Sequence, residues 1–144
     1  VKSFGVSNFT SAQMSLLSTE NLIEWNQIEC SLTASKAMFD GTTNHMMEQQ
    51  IGSMAWSPLG SYFKDKNDQN ERLKPLVNKM CVKYNATEDQ ILLAWLLQHP
   101  AKIHPVVGTT QKTRLKGAVD SLSIKLDLQD WFLLLEASWG HKVP

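Results

Sequence analysis

Short apolar or β-branched runs alternate along the chain with longer segments whose apolar positions recur every three or four residues. These are the two periods that separate strand from helix. Val1 to Asn8 reads as a buried strand, with Phe4 and Val6 on one face and Ser3, Gly5 and Ser7 on the other. Gly5, lacking a side chain, suits close backbone packing. Thr10-Ser11-Ala12-Gln13 is a capping-box pattern, and Met14, Leu16 and Leu17 supply the apolar side of the short helix it opens. Leu22 to Glu29 is the second strand, with Ile23, Trp25 and Ile28 apolar and Asn26, Gln27 and Glu29 polar. Ser31 to Phe39 has no regular period, and Asp40-Gly41 marks a turn. Thr42 to Gln50 predicts a polar helix carrying Met46 and Met47. Ile51 to Trp56 is a third strand, broken by Ser57-Pro58-Leu59-Gly60-Ser61.

Tyr62 to Asn70 predicts a polar, mobile loop. Glu71 to Tyr84 is helical, with Leu73, Leu76, Val77 and Met80 at core spacing. Pro75 fits best in a first turn, which moves the start of the helix proper to near Lys74. Thr87-Glu88-Asp89-Gln90 is a second capping box, and the helix after it is apolar from Ile91 to Leu97, so it must be buried. Pro100 stops it. A strand near Val107 follows, then a helix from Gln111 to about Ser121. A last helix is capped by Asp127, with Leu128, Trp131, Leu134 and Leu135 along one side.

Strand followed by helix, about four times over, means an α/β fold with a parallel sheet. Polar residues gather after each strand, at Ser7-Asn8, Gln27 to Glu29, Ser57 and Gly108 to Thr110. In both an open doubly wound sheet and a barrel that is the ligand end. The stretch from His104 to Arg114 reads as a strand, a tight turn at Gly108, two threonines and a helix N-terminus. Free N–H groups and the dipole at such a helix start favour an anion, and Arg114 lies where a guanidinium can fork onto a phosphate. A phosphate site after the last strands favours the barrel, although eight strands close that barrel and this chain has about half of them.

Composition narrows the function. The chain has 144 residues, 42% hydrophobic and 19% charged, enough for one globular domain over residues 1–144. Basic and acidic residues balance at 14 each, so no basic face for nucleic acid is expected. No apolar run approaches a membrane span and no signal peptide is visible. Val1 already lies in a strand-like segment, so the chain reads as starting within a longer protein. Cys30 and Cys81 read as free thiols in a reducing compartment, the cytoplasm. The four histidines have no metal-ligand spacing. Of the five tryptophans, Trp25, Trp95, Trp131 and Trp139 read as packing residues and Trp56, beside a loop at the ligand end, as functional.

Gly5-Val6-Ser7-Asn8-Phe9, Asn26-Gln27-Ile28-Glu29, Ala55-Trp56-Ser57-Pro58-Leu59-Gly60 and Pro105-Val106-Val107-Gly108-Thr109 resemble, in order and spacing, segments of the aldo-keto reductases. The closing stretch, from Trp131-Phe132 through Trp139-Gly140-His141 to Val143-Pro144, resembles the bacterial YdhF-like branch. The resemblance covers essentially the whole chain but only the C-terminal half of the family's TIM (β/α)8 barrel. It implies about four parallel strands alternating with helices, an NAD(P)H-dependent reduction of aldehydes or ketones, and NADP, with NAD as the alternative, as cofactor. Carried over, Ser7, Asn8 and Gln27 would hold the nicotinamide carboxamide and Trp56 would stack on its ring. Ser57, Leu59, Gly60 and Ser61 would cover the pyrophosphate. Gly108, Thr109, Thr110, Gln111 and Arg114 would cradle the adenosine phosphate.

Three departures qualify that implication. Many members have Lys where Gly108 stands, pairing with the 2′-phosphate of NADP, and many have Asn near Ala118. The family's Tyr, Lys, Asp and His that donate and relay the proton lie on its first half-barrel, so no catalytic residue is expected on this chain. The alternative function is a non-catalytic half-barrel that binds a dinucleotide or a protein. Two open sheet edges and a bare inner face, expected to include Phe4, Val6 and Ile28, predict association with the first half-barrel or with a second copy.

Overall fold

A computed structural model describes residues 1–18 and 23–143. Leu22 and Pro144, the expected ends of the second strand and of the closing motif, lie outside the described residues. Four strands, β1 (Phe4–Ser7), β2 (Ile23–Glu29), β3 (Gly52–Trp56) and β4 (His104–Pro105), form one sheet in the order β1-β2-β3-β4. All neighbours are parallel. Spatial order equals chain order, with no reversal. A doubly wound sheet requires a reversal, so this is the singly wound, barrel-type arrangement. The helices are α1 (Ser11–Ser18), α2 (Lys36–Phe39), α3 (Thr42–Glu48), α4 (Asp68–Tyr84), α5 (Glu88–Leu97), α6 (Lys112–Asp120) and α7 (Leu128–Trp139).

One face of the sheet is covered. Ile28, Ala55 and Ile103 pack with Leu73 and Val77 of α4, Leu92 and Leu96 of α5 and Leu134 of α7. A smaller cluster of Met14, Ile23, Met46 and Ile51 fills the space by α1 and α3, with Val6 packed against it. Trp95 and Trp131 stack at 4.8 Å, and each indole N–H donates to the other's backbone carbonyl, at 3.0 and 2.8 Å. Both expected capping boxes form, with Gln13 Oε1 accepting from Thr10 N–H at 2.9 Å and Gln90 Oε1 from Thr87 N–H at 3.0 Å.

The other face is the open one, and its composition differs from the expectation. Ser7, Gln27, Met54 and His104 form one row across all four strands, and Gly5, Trp25 and Gly52 another. Ile28 is buried in the main core and Val6 is half-buried on the helix side, so neither is bare. A period of two gives alternation but not phase, and a one-residue shift exchanges the faces. Trp25 lies over Gly52, where an added Cβ would come within 2.4 Å of the indole, and meets His104 edge-on at 5.4 Å.

Several other expectations are corrected. β1 is exposed rather than buried, Phe4 being 61% accessible, because it is an edge strand with β2 as its one neighbour. On α1 Met14 is buried but Leu16 and Leu17 are exposed; Leu16, two residues on, points about 200° away from Met14. Leu128 likewise faces outward. The segment expected to be irregular contains the bridge Ser31–Ala34 and α2, and α3 buries Thr42 and Thr43 as well as Met46. Residues 62–70 are not a loop throughout, for Tyr62 is 1% accessible and α4 already begins at Asp68, although the residues between them are exposed. Asn67 caps that helix, its side chain accepting from Asn70 N–H at 2.8 Å, which leaves Pro75 in the interior. The final strand stops at Pro105 rather than Val107: Val106 N–H adds one more bond to Ala55 O at 2.8 Å, and the chain then peels away.

Candidate functional site

Polar residues stand at or just after the C-terminal ends of β1, β2 and β3, at the same edge of the sheet. Ser7 Oγ donates to the Gln27 carbonyl at 3.0 Å, and Asn8 N–H donates to the same oxygen at 2.9 Å. Asn8 takes a left-handed backbone with φ 57°, which Asn tolerates better than most residues. Its Oδ1 accepts from the Trp56 indole N–H at 2.9 Å and from Glu29 N–H at 3.3 Å, so one side chain ties together the ends of β1, β2 and β3. Asn8, Glu29 and Trp56 line a cleft of about 400 Å³. Ser7 and Gln27 line a second concavity on the open face, with Trp25 and Met54.

The segment after β3 is a folded strap. Ser57 has φ 48° and its carbonyl accepts from Gly60 N–H at 2.8 Å. Gly60 has φ 57°, and a Cβ there would stand 2.0 Å from Thr33 Oγ1 and 2.5 Å from Ser31 Oγ. Glycine therefore serves both the left-handed turn and the close approach. Thr33 Oγ1 accepts from Ser61 N–H at 3.0 Å, and Asn70 Nδ2 donates to the carbonyls of Ser61 at 3.1 Å and Asp65 at 2.8 Å. Tyr62 donates to Glu88 Oε1 at 2.6 Å. Burial raises the Tyr62 hydroxyl pKa, and the hydrogen bond and charge of Glu88 raise it further. Tyr62 is thus an anchor, held as a neutral donor.

The strap and the segment after β4 face each other across a cavity of about 410 Å³. Ser57, Leu59 and Gly60 line one side. Gly108, Thr109, Thr110, Gln111 and Arg114 line the other. Ser61 is not part of this lining, its N–H being held by Thr33. Gly108 has no positive φ, and a Cβ added to it would meet nothing within 4 Å, so the tight glycine turn expected there is absent. Thr109 Oγ1 accepts from Gln111 N–H at 3.1 Å, and no side chain caps the first turn of α6, leaving its N–H groups for a ligand or water. Lys64, Asp89, Leu93 and Ala118 complete the cavity. Sequence reasoning missed Lys64, whose segment has no period. Asp89 stands in the second capping box, but nothing in the spacing places it beside the strap. The ion pairs among the described residues involve only Lys83 and Lys116, so Arg114 and Lys64 have no carboxylate partner there.

The remaining reactive groups lie elsewhere. Burial pushes the Cys30 thiol up to about 12, consistent with a packed thiol. Tyr84 and Lys83 sit at the far end of α4, where both hydrogen-bond Asp130 and Lys83 also reaches Asp127 at 2.7 Å. Among the described residues no group of three His, Cys, Asp or Glu could hold a metal, and no helix is long and apolar enough to cross a membrane.

The aldo/keto reductase family model matches residues 1–137. The chain is 38% identical over 150 residues to the uncharacterized oxidoreductase YcsN of Bacillus subtilis, covering 100% of this chain and 50% of YcsN. It is 32% identical over 147 residues to the oxidoreductase YdhF of Escherichia coli, covering 100% of this chain and 49% of YdhF. The crystal structure of the aldo-keto reductase AKR2E5 complexed with NADPH superposes with a TM-score of 0.78 at 26% identity, over 94% of this chain and 42% of that one. The chain thus spans about half the length of the proteins it matches, with four parallel strands of their barrel, and it belongs to the aldo/keto reductase family.

Proposed function

We propose that this chain is the cofactor-binding half of an NAD(P)H-dependent carbonyl reductase. The observation that supports the reading is that the strap after β3 and the segment after β4 face each other across one cavity with Arg114 and Lys64 on its wall, while Asn8 and Trp56, bonded to each other, and Gln27 line two neighbouring concavities by the ends of β1 to β3. Asn8 and Gln27 offer the donors and acceptors that a carboxamide needs. Trp56 offers a flat ring beside them. The strap from Ser57 to Gly60 and the facing Thr109, Thr110 and Arg114, with the uncapped start of α6, suit a pair of phosphates. In donor and acceptor type the residues present fit the group: amides for a carboxamide, a ring for stacking, and a cation with free N–H groups for phosphate.

When bound, the nicotinamide supplies hydride to the carbon of an aldehyde or ketone. The chain's own residues would bind and orient it. Ser7, Asn8 and Gln27 would fix the carboxamide, Trp56 would hold one face of the ring, and Ser57 to Ser61 would exclude water from the phosphates. Protonation of the carbonyl oxygen needs a general acid. Tyr62 is committed to Glu88, and Tyr84 to Asp130 at the opposite end of α4, which leaves that step to the half of the barrel this chain does not span. Association with that half, or with a second copy, would also cover the open face with its Ser7–Gln27–Met54–His104 row.

Fluorescence titration with NADPH and NADH tests the reading. Binding should quench tryptophan emission, and Trp56→Phe should retain binding while losing most of the quench. A parent protein that binds neither nucleotide would remove the proposal. NADPH consumption with a reactive aldehyde should require the first half-barrel, and turnover by this chain alone would show that the chemistry had been assigned to the wrong half.

A further inference from the structure

Of the described residues that line the cavity between the strap and α6, the charged ones are Lys64 on the strap, Asp89 in the first turn of α5 and Arg114 in the first turn of α6. Asp89 stands among groups suited to phosphate, although a carboxylate repels one. Its place in the cavity is defined. Gln90 Nε2 donates to Gly117 O at 3.1 Å and ties α5 to α6. Leu93 and Ala118 lie one turn beyond Asp89 and Arg114 on those two helices, so each pair shares a helix face. Between the helices the cavity therefore has an apolar floor, suited to a base. Its rim carries one acid and one cation, beside which the attached ribose would lie. Thr87 Oγ1 donates to Asp89 Oδ1 at 2.6 Å, which orients the carboxylate and leaves Oδ2 to accept from a ligand.

Resting on the dinucleotide reading above, we infer that Asp89 determines which dinucleotide the cavity takes: it accepts from the 2′-hydroxyl of the adenosine ribose and turns away a 2′-phosphate, so the protein favours NADH over NADPH. The two ligands differ at that position alone. A ribose hydroxyl is a donor and meets a carboxylate in a charge-assisted hydrogen bond. A 2′-phosphate carries a charge of about −1.5 to −2 at pH 7 and presents acceptors to an acceptor. Charge complementarity points the same way. The pyrophosphate common to both nucleotides already brings one negative charge per phosphate to Lys64 and Arg114, and the described lining holds no further cation for another phosphate. Gly108 supplies none and stands in open space, with nothing within 4 Å of an added Cβ. An acid placed there is the repulsive element by which a site rejects one of two similar ligands.

The test uses the protein joined to its first half-barrel, with the variants Asp89→Asn and Asp89→Ala. The probes are NADH, NADPH and a 2′-deoxy-NADH that lacks only the hydroxyl on the adenosine ribose. Tryptophan fluorescence reads each Kd. The parent should bind NADH about tenfold or more tighter than NADPH, and about tenfold tighter than the deoxy analogue, the scale of one hydrogen bond to a charged group. Asp89→Ala should weaken NADH, tighten NADPH and bind NADH and its deoxy analogue alike. Asp89→Asn keeps an acceptor and loses the charge, so it should tighten NADPH while retaining part of the discrimination against the deoxy analogue. The deoxy comparison is made within the parent and stands even where a variant fails to fold. A parent that prefers NADPH, or that binds NADH and the deoxy analogue equally, overturns the role of Asp89. So does an equal change for all probes in folded Asp89→Ala, the mark of a merely structural residue. A parent folded by circular dichroism that binds none of the probes overturns the dinucleotide reading itself and the selectivity assigned here with it.

Discussion

Gly60→Ala is the perturbation that most directly probes whether the strap is a built part of the site. Two costs follow from the structure. The first is conformational: at φ 57° an L-residue is disfavoured by about 1–2 kcal/mol. The second is steric, because a Cβ would stand 2.0 Å from Thr33 Oγ1 and 2.5 Å from Ser31 Oγ. Neither hydroxyl is a free end. Thr33 Oγ1 accepts from Ser61 N–H at 3.0 Å and lies 3.3 Å from Ser31 Oγ, so relief of the clash breaks that small network at about 0.5–1.5 kcal/mol per hydrogen bond. With one such bond broken these amount to about 1.5–3.5 kcal/mol, lost either as global stability or as displacement of the strap. Urea unfolding followed by circular dichroism reads the first, and the Kd for NADPH reads the second. Gly108→Ala is the control, since nothing lies within 4 Å of its added carbon and its φ is not positive. It should change stability by no more than about 0.5 kcal/mol. If Gly60→Ala matched the control in both stability and Kd, the strap would not be the rigid element described here.

The same open space makes Gly108→Lys informative: a cation placed on that wall should tighten NADPH more than NADH, while Arg114→Ala should weaken NADPH by about 1–3 kcal/mol, the range for a charge-assisted hydrogen bond. Equal effects on the two nucleotides, by fluorescence titration, would mean that neither position meets the 2′-phosphate. Tyr84→Phe removes the donor to Asp130 and the acceptor for Asp127 N–H, 2.8 Å away, and should lower stability by about 1–3 kcal/mol in urea without altering nucleotide Kd. His99 is held neutral by burial, below its ordinary value of 6.5. The stability that neutrality contributes is present above pH 6.5 and is lost as pH falls through the depressed folded value, so the urea midpoint should decline on that acid side. His99→Gln should flatten that part of the profile, and an unchanged slope would assign it to other groups.

The elements were legible wherever local chemistry decided them. Thr10-x-x-Gln13 and Thr87-x-x-Gln90 closed as capping boxes because the motif satisfies its own backbone donors, whatever packs above it. The apolar run of α5 was buried because no orientation of it could be otherwise. Failures came where a tertiary partner decided. Pro75 suggested a helix start near Lys74, but Asn67 caps the first turn and Asn70 ties it to the strap, and those contacts outweigh one missing backbone bond. Residues 62–70 looked polar and loose because Tyr62 is their one deeply buried ring, and its partner Glu88 lies in another helix. The inner and outer faces of β2 were exchanged because alternation carries no phase without knowledge of which side the helices take.

The candidate site shows the same division at finer scale. Residue type and position after each strand were enough to gather Ser57, Thr109, Thr110 and Arg114 around one cavity, since in a parallel sheet every strand delivers its C-terminal residues to the same edge. What sequence could not contain was who holds whom. Asn8 was expected to hold a carboxamide and Trp56 to stack on its ring, yet they bond each other, and with Glu29 N–H that bond occupies the Asn8 oxygen. Lys64 entered the cavity wall because the anchored strap carries it there, although nothing in its own neighbourhood distinguishes it from Lys66. A polar residue's type states which bonds it can make. Only its neighbours in space determine how many of those bonds remain for function.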